Sequence, residues 1–403
     1  MYIPRLLEGE IKRHIKRKEI VAVIGPRQVG KTTLINHLLK DFKRVKTVSF
    51  DDLEAKNLFE TNTDAFVKLY IEGYDYLFID EIQYSGSSGR ILKYIYDTQD
   101  IKIFISGSSA AEVSIKSLKF LVGRVFIYHL FPFSFKEFLA FKDKSLASVL
   151  AREKIGGLEK RFHALVQEFI LFGGYPEVVL AKDEQEKKLI LKNIYNTYFL
   201  REIRDIFGLS EDYRLSRLLK ALSLQIGNLI NYAELATLSG TSAYGVKKFL
   251  NILEKTFICR ESKNFHTNKR SELKKSPKIF FIDPGIRNIS INNFSKERGD
   301  IGALYENFIA AEMIKQDVEL KYWRTRSGGE VDFVIEKEGR IIPIEIKTII
   351  SNKNLGRSFH SFIETYAPKD AFVLSLNFSA ERTIGTCRVH FRRIVEIANI
   401  LNA

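Results

Sequence analysis

Apolar positions in the first 130 residues fall into two alternating rhythms. The runs Ile20 to Ile24, Tyr76 to Ile79 and Ile101 to Ile105 have the length and character of strands buried in a parallel sheet. Between them, Leu34-Ile35 and Leu38-Leu39 recur at helical spacing. Lys46 to Asp52 reads as a further strand, and an amphipathic segment runs from Asp52 to Glu72. From Phe135 to Ile206 the spacing becomes helical throughout, broken at Gly173-Gly174 and restarted by Pro176. Helices are expected over Leu218–Ile230, Asn231–Gly240 and Ala243–Lys255, the last capped by Ser242, with strands at Phe257–Arg260 and Lys278–Ile282. The last third mixes a helix from Gly302 with strands at Tyr322–Arg324, Glu330–Glu336 and Ile341–Lys347. A helix at Phe359–Phe362, a strand at Asp370–Ser375 and a closing helix from Arg392 to Leu401 follow.

These rhythms divide the 403 residues into four expected regions: an α/β core with a parallel sheet over 1–130, a helical lid over 131–207, a winged-helix-like module over 208–288, and an α/β domain over 289–403. Composition adds three points. No apolar run reaches the length of a membrane span, and no leader pattern opens the chain, so a cytoplasmic protein with no membrane partner is expected. The two cysteines, Cys259 and Cys387, suit a reducing compartment and match no zinc spacing. The net charge of +14 makes an anionic partner such as nucleic acid plausible, although a lysine-rich surface alone would give the same sum.

The candidate chemistry begins directly after the first apolar run. Gly25, Pro26, Arg27, Gln28, Val29, Gly30, Lys31, Thr32 and Thr33 form a glycine-framed turn between a buried strand and a helix start. Backbone N–H groups and the helix dipole favour an anion there. Lys31 would reach the β- and γ-phosphates of ATP, and the Thr32 hydroxyl would hold Mg²⁺. Asp80 and Glu81 end the strand Tyr76 to Ile79, where α/β sheets bind ligands. Asp80 suits the magnesium shell and Glu81 the activation of water; a helix-capping acid pair is the other reading. Ser106, at the next strand end, would place the attacking water or simply serve a turn in Ser106-Gly-Ser108-Ser109. Arg124, after Gly123, is either an arginine finger acting across a subunit boundary or half of a surface ion pair.

This phosphate loop, together with Asp80-Glu-Ile-Gln83, Ser106-Gly-Ser-Ser109 and Gly123-Arg124, resembles the AAA-type ATPases. Within them the chain is similar to a prokaryotic group, abundant in archaea, whose C-terminal domain is uncharacterised. Leu130-Phe-Pro-Phe-Ser-Phe-Lys-Glu-Phe138 resembles that group's entry to the lid, and Gly173-Gly-Tyr-Pro176 resembles its Gly-Gly-x-Pro turn. The resemblance implies ATP binding, hydrolysis, and a homo-oligomer with sites near subunit boundaries. Read on its own, the Gly-Pro turn either relays the presence of nucleotide or is a plain helix junction, the latter being the simpler account.

In the middle region, Lys247 and Lys248 flank the apolar positions of a second helix in a helix-turn-helix pattern. The basic stretch Lys263–Lys278, with Phe265, would suit phosphate contact and base stacking if it forms a wing. In the last region Glu345 and Lys347, two apart, share a strand face. With Asp332 and the earlier Glu306 they are the parts of a metal-dependent phosphodiester site. Asp332 and Glu345 would bind Mg²⁺, Lys347 would stabilise charge or help activate water, and Glu306 would orient the metal shell. These four residues resemble the PD-(D/E)xK nuclease superfamily, including archaeal Holliday-junction resolvases, although Val331 stands where a Pro-Asp pair would put proline. An exposed ion pair on a strand, acid beside lysine, is the other reading.

Two functions follow. One is a Mg²⁺-dependent ATPase acting on branched or duplex DNA, its cycle coupled to a nuclease-like domain. The other is an ATP-dependent switch of oligomerisation or partner binding, with an inert C-terminal scaffold.

Overall fold

The computed structural model describes residues 2–108, 118–150, 157–197, 212–268, 272 and 275–402. The chain divides into two compact units, Met1–Phe133 with Lys255–Phe257, and Ser134–Glu254 with Ile258–Ala403.

The first unit is built on five parallel strands: β1 (Ile20–Ile24), β2 (Val45–Ser49), β3 (Tyr76–Asp80), β4 (Lys102–Gly107) and β5 (Val125–His129), in the order β2-β3-β4-β1-β5. Strands β1 and β4 are buried along their whole length, as expected where helices cover both faces of a sheet. Placing β4 between β1 and β3 brings the exits of all three to the same edge, so Ser106 lies between the loop after β1 and the acids ending β3. One face is sealed by Phe50, Phe59, Phe66, Leu77, Ile79, Leu92 and Ile95. The amphipathic segment after β2 is two helices, Leu53–Thr61 and Thr63–Tyr70. Asn62 leaves helical geometry at φ −145° and its side chain accepts from the Ala65 N–H, so it ends one helix and caps the next.

The second unit opens on the lid-entry motif, which proves to be a capping box. Ser134 Oγ accepts from the Glu137 N–H at 3.3 Å, and Glu137 Oε2 accepts from the Ser134 N–H at 2.8 Å. The Phe135 N–H donates to Glu312, a buried acid on the helix Ile301–Ile314. Gly173 ends the helix Glu159–Phe172 at φ +76°, and a Cβ there would fall 2.1 Å from Asp283 Oδ1. The neighbouring Gly174 N–H donates to Asp283 Oδ2 at 2.7 Å, while a Cβ on Gly285 would lie 2.2 Å from the Phe172 carbonyl oxygen. Two glycine turns more than a hundred residues apart therefore interlock around one buried carboxylate. The contacts make the Gly-Gly-x-Pro turn a junction that locks against Asp283.

In the middle region helices Asp212–Leu224, Tyr232–Ser239 and Ala243–Lys255 precede the antiparallel pair β6 (Cys259–Asn264) and β7 (Lys278–Phe281). Expectation and structure part here. Phe257 takes a left-handed φ of +57°, which displaces the strand start from Phe257 to Cys259, and β6 runs on to Asn264. There it pairs with β8 (Lys321–Arg324), giving a sheet ordered β7-β6-β8-β9, with β9 at Glu330–Val331. Phe265, expected on an open wing, is 1% exposed and packs with Trp323, Phe359 and Phe362. Lys278 is also buried and pairs with Glu330. Lys269, Arg270 and Lys274 of the same stretch lie outside the described residues.

The last sheet is ordered β10-β11-β12-β14-β13, from β10 (Phe333–Lys337), β11 (Arg340–Ile346), β12 (Asp370–Ser375), β13 (Ala380–Ile384) and β14 (Cys387–Arg393). Strands β11, β12 and β14 run parallel, with the helix Arg357–Tyr366 as the crossover between the first two.

Candidate functional site

The loop after β1 is shaped by contacts that its glycine spacing alone does not reveal. Gly25 faces the chain leaving β5: a Cβ would stand 2.0 Å from the Leu130 carbonyl oxygen. Gln28 and Gly30 take positive φ values of 62° and 92°, turning the loop into the helix Lys31–Leu39. Val29 is fully buried, and its carbonyl accepts from Arg5 Nη1 at 2.8 Å. Arg5 Nη2 donates to the Phe131 carbonyl at 2.6 Å, with its guanidinium over the Phe133 ring. Arg5 thus braces the loop from behind, a role that no local pattern around Pro4-Arg5 announces.

Lys31 starts the helix and is 5% exposed; its Nζ donates to the carbonyls of Gly25 and Pro26 at 3.1 and 2.8 Å. Thr32 Oγ1 donates to Asp80 Oδ2 at 2.8 Å, and Ser106 Oγ donates to Asp80 Oδ1. The Glu81 N–H also reaches Asp80 Oδ1, at 3.2 Å. One carboxylate therefore gathers the helix start, the β4 exit and the β3 exit. Its neighbour Glu81 adopts φ 56°, ψ 46° and makes no side-chain cap to the short turn Ile82–Tyr84, which removes the helix-capping reading of the pair. Gln83 Nε2 donates to Glu81 Oε2, Gln83 Oε1 accepts from the Ser108 N–H at 3.1 Å, and Arg27 Nη2 donates to the Tyr84 hydroxyl at 2.6 Å. An adjacent hydroxyl and carboxylate are the hard oxygen donors that Mg²⁺ takes, so Thr32 and Asp80 fit that ion. Ser109 lies outside the described residues.

Arg124 is not brought to this cluster. It precedes β5, at the opposite end of the sheet from the phosphate loop, and pairs with Asp97 at 2.9 Å while lying against the Tyr96 ring.

In the second unit Glu306, Asp332, Glu345 and Lys347 do come together. Asp332 Oδ2 accepts from the Ile346 N–H at 2.7 Å, and Lys347 Nζ meets Glu345 Oε1 at 2.7 Å. Gly227 leaves room beside Glu306, since a Cβ there would come within 3.0 Å of its Oε2. Burial, and after it the charge of Asp332, pushes Glu306 up to about 8 and Glu345 up to about 7; burial likewise raises Asp332. Glu345 Oε2 is buried without a hydrogen-bond partner, so an oxygen is left over for a cation. Yet among the described residues no three His, Cys, Asp or Glu side chains are grouped to hold one metal ion. Asp332 and Glu345 supply two candidate donors, and Glu306 stands beside them as a buried acid whose burial favours the neutral form. Sequence reasoning missed Lys278 and Glu330, which join at the edge of this cluster, with Arg324 on Glu330 at 3.1 Å. Trp323 is core, hydrogen-bonded to the Tyr366 hydroxyl.

On the helix Ala243–Lys255, Tyr244 is 79% exposed and Lys247 and Lys248 are exposed beside it. Among the described residues no helix is long and apolar enough to cross a membrane.

Residues 17–139, the span that holds the loop after β1 and Asp80, match a family profile described as an AAA domain, which supports an AAA-type ATPase with a nucleotide-binding P-loop. Residues 163–297 and 301–390 match two domains of unknown function, DUF8612 and DUF4143. An uncharacterized protein of Haemophilus influenzae is 28% identical over 67% of this chain, and the match spans 65% of that relative's own length. An uncharacterized protein of Methanocaldococcus jannaschii is 27% identical over 83% of this chain and 76% of its own. Among solved structures, a Walker-type ATPase of Pyrococcus abyssi aligns with a TM-score of 0.49 at 15% identity, covering 72% of this chain and 96% of that one.

Proposed function

We propose that the chain is a Mg²⁺-dependent ATPase that acts on DNA through its second unit. The observation that carries the ATPase part is the convergence of Thr32, Ser106 and the Glu81 backbone on the single carboxylate of Asp80, beside the Lys31 ammonium. The residues divide the work by chemistry. Lys31 exchanges its two carbonyl partners for phosphate oxygens, a charge-assisted contact stronger than the one it leaves. Thr32 and Asp80 would hold Mg²⁺, which supplies charge neutralisation on the phosphates when bound. Ser106 keeps the Asp80 carboxylate oriented. Glu81, adjacent to it, accepts a proton from the attacking water. Arg124, paired within its own chain, would act as a finger only on a neighbouring subunit.

DNA contact is supported by the net charge of +14 and by the open face of Tyr244, Lys247 and Lys248 on a helix that follows a glycine-closed turn. The acids Asp332 and Glu345, with the unpartnered Glu345 oxygen, support a nuclease-like metal site that cuts branched or duplex DNA. One observation favours a second reading: with no three acids grouped for a metal among the described residues, the cluster is an ion-pair scaffold and ATP governs oligomerisation or partner binding.

The test is steady-state turnover with Mg²⁺·ATP. Lys31→Ala is expected to abolish nucleotide binding or turnover. Glu81→Gln is expected to keep binding while turnover falls about 100-fold or more, the scale of a lost general base. Normal hydrolysis by Glu81→Gln would remove Glu81 from its role.

A further inference from the structure

We infer that Gln83 is a positioning residue for ATP hydrolysis, holding the Glu81 carboxylate in its working orientation by bridging it to the exit of β4. The inference rests on the ATPase reading above, because it gives Gln83 a task only if Glu81 activates water.

The geometry is a two-ended clamp. The Gln83 amide donates through Nε2 to Glu81 Oε2 and accepts through Oε1 from the Ser108 N–H at 3.1 Å. Among the described residues this is the one hydrogen bond that the Glu81 carboxylate receives. The Glu81 backbone is held separately, its N–H directed at Asp80 Oδ1 and, at 3.4 Å, at Ser106 Oγ. What remains free without Gln83 is the side chain, with three rotatable bonds beyond a left-handed backbone.

The clamp itself has a firm base. The next residue, Tyr84, accepts from Arg27 of the phosphate loop, so the turn Ile82–Tyr84 is tied to that loop on one side and to β4 on the other. Among the described residues Ser108 Oγ, at the β4 exit, is buried without a hydrogen-bond partner, so Gln83 engages the Ser108 backbone and not its side chain.

Chemistry explains why an amide suits the position. A lysine or arginine would orient Glu81 but quench its basicity through a full opposite charge. A glutamate would repel it. Asparagine, one methylene shorter, fails to span from Glu81 to Ser108. An uncharged donor on a glutamine-length arm orients the base and leaves it a base.

The experiment uses the full-length chain and compares wild type with Gln83→Ala, Gln83→Asn and Gln83→Glu. It measures kcat and KM for Mg²⁺·ATP, the affinity for a fluorescent ATP analogue, and the unfolding temperature. Gln83→Ala and Gln83→Asn are expected to lose roughly 10- to 100-fold in kcat, the scale of a misplaced catalytic group, with nucleotide affinity and unfolding temperature held. Gln83→Glu is expected to lose at least as much, because a carboxylate in place of the amide repels Glu81. Wild-type kcat in Gln83→Ala overturns the inference. So does a joint fall of kcat, affinity and unfolding temperature, or a Gln83→Glu variant as active as wild type. A wild type that does not hydrolyse ATP sinks the ATPase reading and the inference together; an active wild type with an equally active Gln83→Ala sinks the inference alone.

Discussion

Replacing Gly25 with alanine separates packing from conformational freedom in the phosphate loop. Gly25 does not sit at positive φ, so an alanine backbone can follow its path; the obstacle is a neighbour. The added Cβ would stand 2.0 Å from the Leu130 oxygen, 3.0 Å from its carbon and 3.4 Å from its nitrogen. Relief from 2.0 Å to ordinary contact at 3.4 Å needs a movement of about 1.4 Å, since the blocking atoms are backbone and cannot swing aside. Neither side yields easily. The Leu130 N–H is bonded to the Ile24 carbonyl at 2.8 Å, and the Gly25 N–H points to the Gly107 carbonyl at 3.3 Å. Overpacking of this kind costs roughly 1–3 kcal/mol. A displacement of about 1 Å at a phosphate cradle costs on the order of 100-fold in rate. Thermal unfolding and ATPase assays on Gly25→Ala, with Gly86→Ala as the control that meets nothing within 4 Å, read both effects. An unfolding temperature and turnover equal to wild type in Gly25→Ala would refute the close approach of β5's exit to the loop.

Other perturbations follow the same logic. Asp300 faces Arg287 at 2.6 Å and Arg298 close by; burial works to raise its carboxyl, but hydrogen bonds from Arg298 and then Arg287 outweigh it and hold it at about 2. A carboxyl depressed in the folded state stabilises above its unfolded value near 4 and loses that contribution as pH falls toward 2. The loss amounts to at most about 2 kcal/mol after allowance for the group's partial exposure, and denaturant melts between pH 5 and 2 should show it. Asp300→Asn removes the same charge while Arg287 keeps its bonds to the Ser223 carbonyl and Asn288, and should cost up to about 2 kcal/mol at neutral pH, flattening that acid dependence. Gly173→Ala drives a Cβ into the Asp283 carboxylate at a left-handed φ, and should destabilise by roughly 2–4 kcal/mol in the same melts. Mn²⁺- or Mg²⁺-dependent cutting of branched or duplex DNA, abolished in Asp332→Ala, would support the nuclease-like reading; no cutting on either substrate favours the scaffold.

Features whose cause lies within a few residues were readable in advance. The strand, glycine turn and helix around Lys31 follow from local spacing; the capping box from Ser134 to Glu137 is equally local but reads in the sequence only as a lid-entry motif. The reasons behind several glycines were not readable, because their partners are remote: Leu130 for Gly25, Asp283 for Gly173, Glu306 for Gly227. Alternation along one strand placed Glu345 and Lys347 on a common face, but no pattern near Lys278 showed that this basic residue is buried against Glu330. Phe265 misled for the same reason. Its basic neighbours suggested an open wing, while β6 runs on to pair with β8 and carries the ring into the core beside Trp323. Charge marks a surface only when the strand that bears it ends there.

The central claim is that Asp80 and Thr32 form the cation-holding half of a nucleotide cradle. Calorimetric titration of ATP into wild type and Asp80→Asn, each with and without Mg²⁺, tests it most directly. The account predicts that Mg²⁺ tightens ATP binding in wild type, that Asp80→Asn loses this gain, and that its Mg²⁺-free affinity stays near wild type. A Mg²⁺ gain undiminished in Asp80→Asn would contradict it.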